Sequence, residues 1–261
     1  MNIRAYLRRI GLEAPVRPDA RNLARLHRRH LQTVPFENLS IHLSEPIDLS
    51  EAALYDKIVR RQRGGFCYEL NGLFAELLRR LGYRVTLLSA GVAKDSGGFG
   101  PEYDHLLLLV ELDRRWLVDV GFGENFKSPI DLDATGAQVQ GSKAYRILRR
   151  DGFHFLRARS GAGRWKDFYR FTLVPRDLAE FAGMCRYHQT SPDSHFTRNR
   201  VCTLATPSGR KTLSGTRLIE TGRNGTRRER AVADDAEYRR LLRGLFGVRL
   251  PNASALLQSV M

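Results

Sequence analysis

Arg63-Gly64-Gly65-Phe66-Cys67-Tyr68-Glu69-Leu70-Asn71-Gly72, running on through Leu73, Phe74, Leu77, Leu78 and Leu81 to Gly82, sets the architecture of the chain. Gly64-Gly65 interrupts what precedes it. Phe66, Leu70, Leu73, Phe74, Leu77, Leu78 and Leu81 then recur at three and four residues, the spacing of a helix with one apolar stripe, and Gly82 is its natural C-terminal stop. Cys67 falls in the first turn, where unpaired N–H groups and the helix dipole stabilise negative charge and lower a thiol's pKa. The same N–H groups suit a developing oxyanion, and Gly64 and Gly65 would let a substrate approach the backbone with no Cβ in the way.

On the N-terminal side of this helix, Ile3, Tyr6, Leu7 and Ile10, and then Leu23, Leu26, His27, His30 and Leu31, keep the helical period. After a turn at Val34-Pro35-Phe36-Glu37-Asn38, Ser50 is placed to cap a helix over residues 51–59. Beyond residue 83 the period changes to two, or to short apolar runs, at Tyr83–Val92, His105–Leu112 and Trp116–Val120, with turns at 95–101 and 113–115. Strand-like segments continue at Ala144–Leu148, His154–Arg159, Trp165–Val174, Val201–Thr206 and Lys211–Leu218. Pro129–Gly141 has the composition of a surface insertion or linker, and 234–247 returns to helical spacing. The pattern predicts an α+β protein with an antiparallel sheet or barrel after an N-terminal helical region, and it contains no internal repeat.

The 261 residues carry 43 Lys+Arg against 28 Asp+Glu, a formal charge of +15. At 42% hydrophobic and 9% aromatic, a disordered or low-complexity chain is excluded. No window reaches the ~18 apolar residues of a spanning helix, and Met1–Tyr6 lacks a signal-peptide core, so a cytoplasmic location is expected. Arginine supplies nearly all the charge and is scattered over the whole chain. Its densest stretch, Arg17, Arg21, Arg25, Arg28 and Arg29, has helical spacing and predicts one solvated stripe. A nucleic-acid-binding protein is the non-enzyme alternative, resting on charge alone. Cys67, Cys185 and Cys202 fit neither a disulfide framework nor a zinc site, and the histidines lack metal-ligand spacing, so no metal is expected. Cys185 and Cys202 have no context that would make them reactive.

A thiol nucleophile needs an imidazole base, and the base needs an orienting acceptor. His105 opens the apolar run Leu106–Val110, and Asp119 lies within Trp116-Leu117-Val118-Asp119-Val120-Gly121-Phe122-Gly123, where an unpaired carboxylate would be costly. A turn at 113–115 sets Asp119 opposite Leu109, four residues or ~14 Å along the strand from His105. A bulge or a curled strand end must therefore bring the two together if Cys67, His105 and Asp119 form a triad.

Val34-Pro35-Phe36-Glu37-Asn38-Leu39, the element from Arg63 to Gly72, His105-Leu106-Leu107-Leu108 and Val118–Gly123 together resemble the arylamine N-acetyltransferase family, and Thr190-Ser191-Pro192-Asp193-Ser194-His195-Phe196 extends the resemblance toward the C-terminus. The resemblance implies a transglutaminase-like Cys-His-Asp core with an N-terminal helical domain (1–82), a central antiparallel β-barrel (83–190) and a C-terminal α/β lid (191–261). It implies acetyl-CoA as donor and an arylamine, arylhydrazine or N-hydroxyarylamine as acceptor, in a ping-pong sequence. Position by position, Cys67 matches the acetylated nucleophile, His105 its base and Asp119 the orienter. Phe36, Phe122 and Phe196 match acceptor-pocket positions, and Tyr187 and Phe196 match positions near the coenzyme. Asp193 and His195 depart from the small hydroxyl residues usual there, and the Gly97–Pro101 loop varies within the family. A macrolactam-forming amide synthase or another transglutaminase-like acyl transferase is the enzymatic alternative.

Overall fold

The computed structural model describes residues 1–13 and 17–250. The chain opens with helices α1 (Ile3–Arg9) and α2 (Ala20–Thr33), a short strand β1 (Phe36–Glu37), and helices α3 (Leu39–His42), α4 (Glu51–Tyr55) and α5 (Cys67–Arg80), with a π turn at Asp56–Arg60 continuing α4. On α2, Leu23, Leu26, His27 and His30 turn inward while Arg21, Arg25 and Arg28 stay in solvent; the expected stripe of five is cut to these three, because Arg17 precedes the helix and half-buried Arg29 donates to the Ile10 carbonyl at 3.0 Å. Ser50 caps α4, its hydroxyl accepting the Ala53 N–H at 3.4 Å. Val34–Asn38 is more than a turn, because β1 lies within it and pairs Phe36 with Thr203 and Glu37 with Cys202, far along the chain.

Strands β2 (Arg84–Val92), β3 (His105–Glu111), β4 (Arg115–Val118), β5 (Ile130–Asp131), β6 (Gln138–Gln140), β7 (Lys143–Arg150), β8 (Phe153–Ser160) and β9 (Lys166–Phe171) form one antiparallel sheet in the order β5-β4-β3-β2-β9-β8-β7-β6. The sheet curls into a nearly closed barrel. Its edges are bridged by two glutamine side chains of β6 acting as surrogate peptide groups. Gln138 accepts the Asp131 N–H at 2.8 Å and donates to the Asp131 carbonyl at 2.9 Å, and Gln140 accepts from Lys127 and Ser128 and donates back to Ser128. Pro129–Gly141 is therefore no surface insertion: it supplies both edge strands, and Ile130, Asp131 and Leu132 are buried. Its turn-forming composition conceals two short strands that acquire partners only at closure.

The continuous apolar run of β3 has a direct cause, since both of its faces are covered. Leu106, Leu108 and Val110 join the cluster around α5, while Leu107 and Leu109 face the barrel interior with Leu88, Leu117 and Tyr169. Helix α5 thus lies against the outside of the sheet, and Leu70, Leu73, Phe74, Leu77 and Leu78 are fully buried there.

After the barrel, a 3₁₀ turn (Leu178–Phe181) leads into α6 (Ala182–Thr190) and α7 (His195–Arg198), short helices that sequence periodicity leaves unmarked. A second antiparallel sheet follows, with β10 (Val201–Thr206), β11 (Gly209–Ser214), β12 (Arg217–Gly222) and β13 (Arg227–Ala231) in the order β1-β10-β11-β12-β13. The expected single segment Lys211–Leu218 is divided between β11 and β12. Helix α8 (Asp235–Phe246) covers one face through Tyr238, Leu242 and Phe246 packed on Cys202, Leu213 and Leu218.

Candidate active site

Three elements converge on the predicted residues. Cys67 begins α5, His105 begins β3, and Asp119 follows the last residue of β4; their exposures are 3%, 3% and 0%. The β3–β4 register pairs Leu108 with Val118, Leu109 with Leu117 and Glu111 with Arg115, so the turn lies at 112–114 and not at 113–115. Moving the turn by one residue changes the cross-strand partner by two and sets Asp119 at the level of Leu107. Two residues, about 7 Å, then separate it from His105 along the strand, a diagonal that long side chains span. Because β4 ends at Val118, the chain also turns inward there. His105 Nε2 and Asp119 Oδ2 meet at 2.9 Å with no bulge between β3 and β4.

Asp119 is satisfied on all sides. Oδ1 accepts from Asn71 Nδ2 at 2.9 Å and from the Gly121 N–H at 3.0 Å; Oδ2 accepts from His105 and Asn125 Nδ2 at 3.1 Å and from the Tyr169 hydroxyl at 3.3 Å. Burial pushes its pKa upward, but the charge and hydrogen bond of His105, with the donors Asn71 and Gly121, outweigh burial and hold it below the usual value. Beneath it, His27 lies 3.0 Å from the Asp119 carbonyl and 3.2 Å from the Lys127 carbonyl. Burial lowers this imidazole to about 4, which keeps it neutral.

Asn71 binds the helix to the strands. It stands one turn after Cys67, donates to the Leu106 carbonyl at 2.7 Å and to Asp119, and accepts the Val120 N–H at 2.9 Å. Gly121 is held so close to α5 that a Cβ there would lie 2.7 Å from Asn71 Nδ2 and 2.8 Å from Cys67 Cα. Gly64 and Gly65 have a similar role, which corrects the expectation that they open room for substrate. A Cβ on Gly64 would strike the Pro35 carbonyl at 2.0 Å, and one on Gly65 would strike Glu69. These glycines let the protein's own chain approach.

The start of α5 is held by Glu69, which accepts the Phe66 N–H at 3.1 Å and pairs with buried Lys57 at 2.6 Å. The thiol of Cys67 has the Leu106 backbone, next to His105, within hydrogen-bond reach, yet burial dominates and pushes its pKa well above the usual range. The lowering expected from the helix start is overridden. A proton on this sulfur needs a base to leave. Cys185 and Cys202 are buried free thiols, and burial pushes Cys185 up to about 12.

Of the predicted aromatics, Phe122 packs edge-on against His105 with centroids 5.2 Å apart, and Phe36 and Phe196 meet at 6.1 Å. Phe196 also packs against Phe66 at 5.7 Å and His188 at 5.1 Å. Tyr187 stands apart, 42% exposed on α6. Sequence reasoning missed Asn71, Asn125, Tyr169 and His27 as partners of Asp119, and Arg63, Glu37 and Asn38 as structural members of the motifs. Arg63 and Glu37 form a buried ion pair at 2.9 Å, and Asn38 joins α3 to the carbonyls of Phe196 and Asn199 and to the Val201 N–H. The Glu37–Arg63 and Glu69–Asn71 patterns were visible, but only the fold supplies their partners. Among the described residues no group of three or more His, Cys, Asp and Glu is placed to hold a metal, and no helix is long and apolar enough to cross a membrane.

On this α+β scaffold the helix that begins at Cys67 is joined through Asn71 to the strands that carry the His105–Asp119 pair, and residues 19–255 match the N-acetyltransferase family model. The chain is 38% identical over 241 residues to the pineal gland isozyme NAT-3 arylamine N-acetyltransferase of Gallus gallus, covering 84% of this chain and 83% of that protein. Its structure is similar to that of the M. smegmatis arylamine N-acetyltransferase, with TM-score 0.91, 34% identity and 98% and 96% of the two chains covered. The Mycobacterium marinum arylamine N-acetyltransferase in complex with CoA gives 0.87, 31%, 95% and 93%. The chain belongs to the arylamine N-acetyltransferase family.

Proposed function

We propose that the protein moves an acetyl group from acetyl-CoA to an arylamine, arylhydrazine or N-hydroxyarylamine by way of a thioester on Cys67. The observation that carries the reading is the buried His105–Asp119 hydrogen bond of 2.9 Å beside the helix that begins at Cys67. With Nε2 committed to Asp119, His105 Nδ1 is the nitrogen that takes the thiol proton as the sulfur attacks the acetyl carbonyl. A Cys67–acetyl bond forms, the carbon–sulfur bond to CoA breaks, and the imidazolium returns its proton to the departing thiolate. The acceptor nitrogen then attacks the acetyl-enzyme, the bond to Cys67 breaks, and the proton lost by nitrogen passes through His105 to the sulfur. Asp119 holds the ring orientation and stabilises the imidazolium.

Burial pushes the pKa of the Cys67 thiol up, which gives the base His105 its part in the first step. Phe36, Phe122 and Phe196 supply an apolar wall suited to an aryl ring and to exclusion of water from the thioester. Tyr187 and Phe196 lie on the coenzyme side in this reading, and the M. marinum complex with CoA supports the donor.

Incubation with acetyl-CoA in the absence of acceptor, followed by peptide mass mapping, is expected to find one acetyl group on Cys67, released on addition of an arylamine. An acetylated Cys67→Ala variant, or wild-type turnover by that variant, overturns the assignment.

A further inference from the structure

Between β4 and β5 the chain runs from Asp119 to Pro129 in neither helix nor strand, and this loop surrounds much of His105. Asp119 accepts from the Nε2 of His105, Phe122 packs edge-on against its ring, and Asn125 donates to the Asp119 carboxylate. A segment without ladder hydrogen bonds of its own keeps such a geometry only if side chains from elsewhere hold its ends.

One buried side chain reaches both ends. His27, 0% exposed on α2, has Nε2 3.0 Å from the Asp119 carbonyl and 3.4 Å from the Asp119 N–H, and Nδ1 3.2 Å from the Lys127 carbonyl. Nε2 therefore has a partner on Asp119 whether it donates or accepts. With Nε2 accepting, the Nδ1–H donates to Lys127, and a single uncharged ring closes the loop from 119 to 127. The ring is fixed in turn by Phe126, stacked on it at 5.5 Å with 11° between the planes. The Lys127 end has other tethers, since Gln140 accepts the Lys127 and Ser128 N–H groups and Arg28 donates to the Ser128 hydroxyl at 3.1 Å. The Asp119 end does not. Among the described residues no other side chain hydrogen-bonds the Asp119 main chain, while the donors Asn71, Gly121, Asn125 and Tyr169 act on its carboxylate.

The geometry points to His27 as a positioning residue of the transfer reaction: by holding the main chain of Asp119 and closing the 119–127 loop, it keeps the Asp119 carboxylate and Phe122 against His105. This rests on the acetyl-transfer reading above and adds to the site a residue of the N-terminal helical region that acts only through Asp119 and its loop.

The rate of Cys67 acetylation is measured in single turnovers with acetyl-CoA varied, at a temperature below the unfolding transition of each variant. In His27→Leu the saturating rate is expected to fall about tenfold or more, as small misplacements of a catalytic group do, while the acetyl-CoA concentration at half-maximal rate stays within about twofold of wild type. His27→Gln, whose amide reaches the place of Nε2 and cannot also serve Lys127, is expected to lie between the two, more than about twofold below wild type. Because His27 acts through Asp119, neither substitution should change the rate by more than about twofold once Asp119→Asn is present, the non-additivity of groups that work as one unit. Saturating rates within about twofold of wild type in both variants, or a His27 loss that persists undiminished in Asp119→Asn, overturn the proposal; the second is the outcome of a merely structural role. If His27→Leu does not fold, His27→Gln alone is judged by the same two criteria. Failure of the wild type to form acetyl-Cys67 at all would instead sink the acetyl-transfer reading.

Discussion

Asp119 shows how much a single carboxylate organises. It is 0% exposed and accepts five hydrogen bonds, from His105, Asn71, Gly121, Asn125 and Tyr169. An amide in its place would turn an NH₂ toward donors and lose the charge that orients an imidazolium. Asp119→Asn is expected to lower kcat/KM by roughly three to four orders of magnitude and to cost about 1–3 kcal/mol in urea denaturation. Gly121→Ala tests the close approach beside it. The added methyl must push on Cys67 Cα and Asn71, so a loss of about 1–3 kcal/mol together with impaired turnover is expected. His27 carries the pH dependence at this scale. Its folded pKa of about 4 lies below the usual 6.5, so the unfolded chain binds a proton first as pH falls. Stability is full above pH 6.5, and this group removes about 3 kcal/mol of it as pH drops from 6.5 to 4. A stability profile for His27→Gln should be flatter across that window.

At the scale of elements, the hairpin of β3 and β4 and the closing edges of the barrel are where pairing decides function. The apolar run 106–110 and the turn residues near 113 made the hairpin legible, and β10 was legible at its full length. The register was not, because Asp113, Arg114 and Arg115 all suit a turn, and only contacts on both faces of β3 select the one at 112–114. That choice carries Asp119 to His105. The barrel edges were read as an insertion because β5 and β6 are too short to show a period of two. Their pairing runs through Gln138 and Gln140, so replacing both by Ala is expected to cost about 1–3 kcal/mol for each side chain. It should also speed hydrogen exchange at the Lys127, Ser128 and Asp131 amides, which would otherwise stay protected. Unchanged exchange would show that the edges hold without them.

Across the whole molecule, the motifs form one polar framework that joins the helical region to the C-terminal sheet. Arg63 pairs with Glu37 and Glu45 and reaches Ser40, Glu37 accepts the Leu39 N–H, and Asn38 bridges to residues 196–201. Arg63→Leu would leave Glu37 buried and unpaired, an expected loss of about 3–5 kcal/mol, with part of it restored in Arg63→Leu/Glu37→Gln by thermal or urea unfolding. The net charge of +15 is also understood at this scale. Much of it is dispersed on solvated faces such as that of α2. By itself the sequence determined the α5 helix and its cysteine, the change from helical to strand period at residue 83, and the identity of His105 and Asp119, because periodicity, glycine stops and an isolated carboxylate among apolar residues are local signals. Only the tertiary structure decided the register that joins His105 to Asp119, the closure of the barrel through Gln138 and Gln140, and the burial of the Cys67 thiol. Each of these depends on groups far apart in sequence and on burial, which no local pattern records.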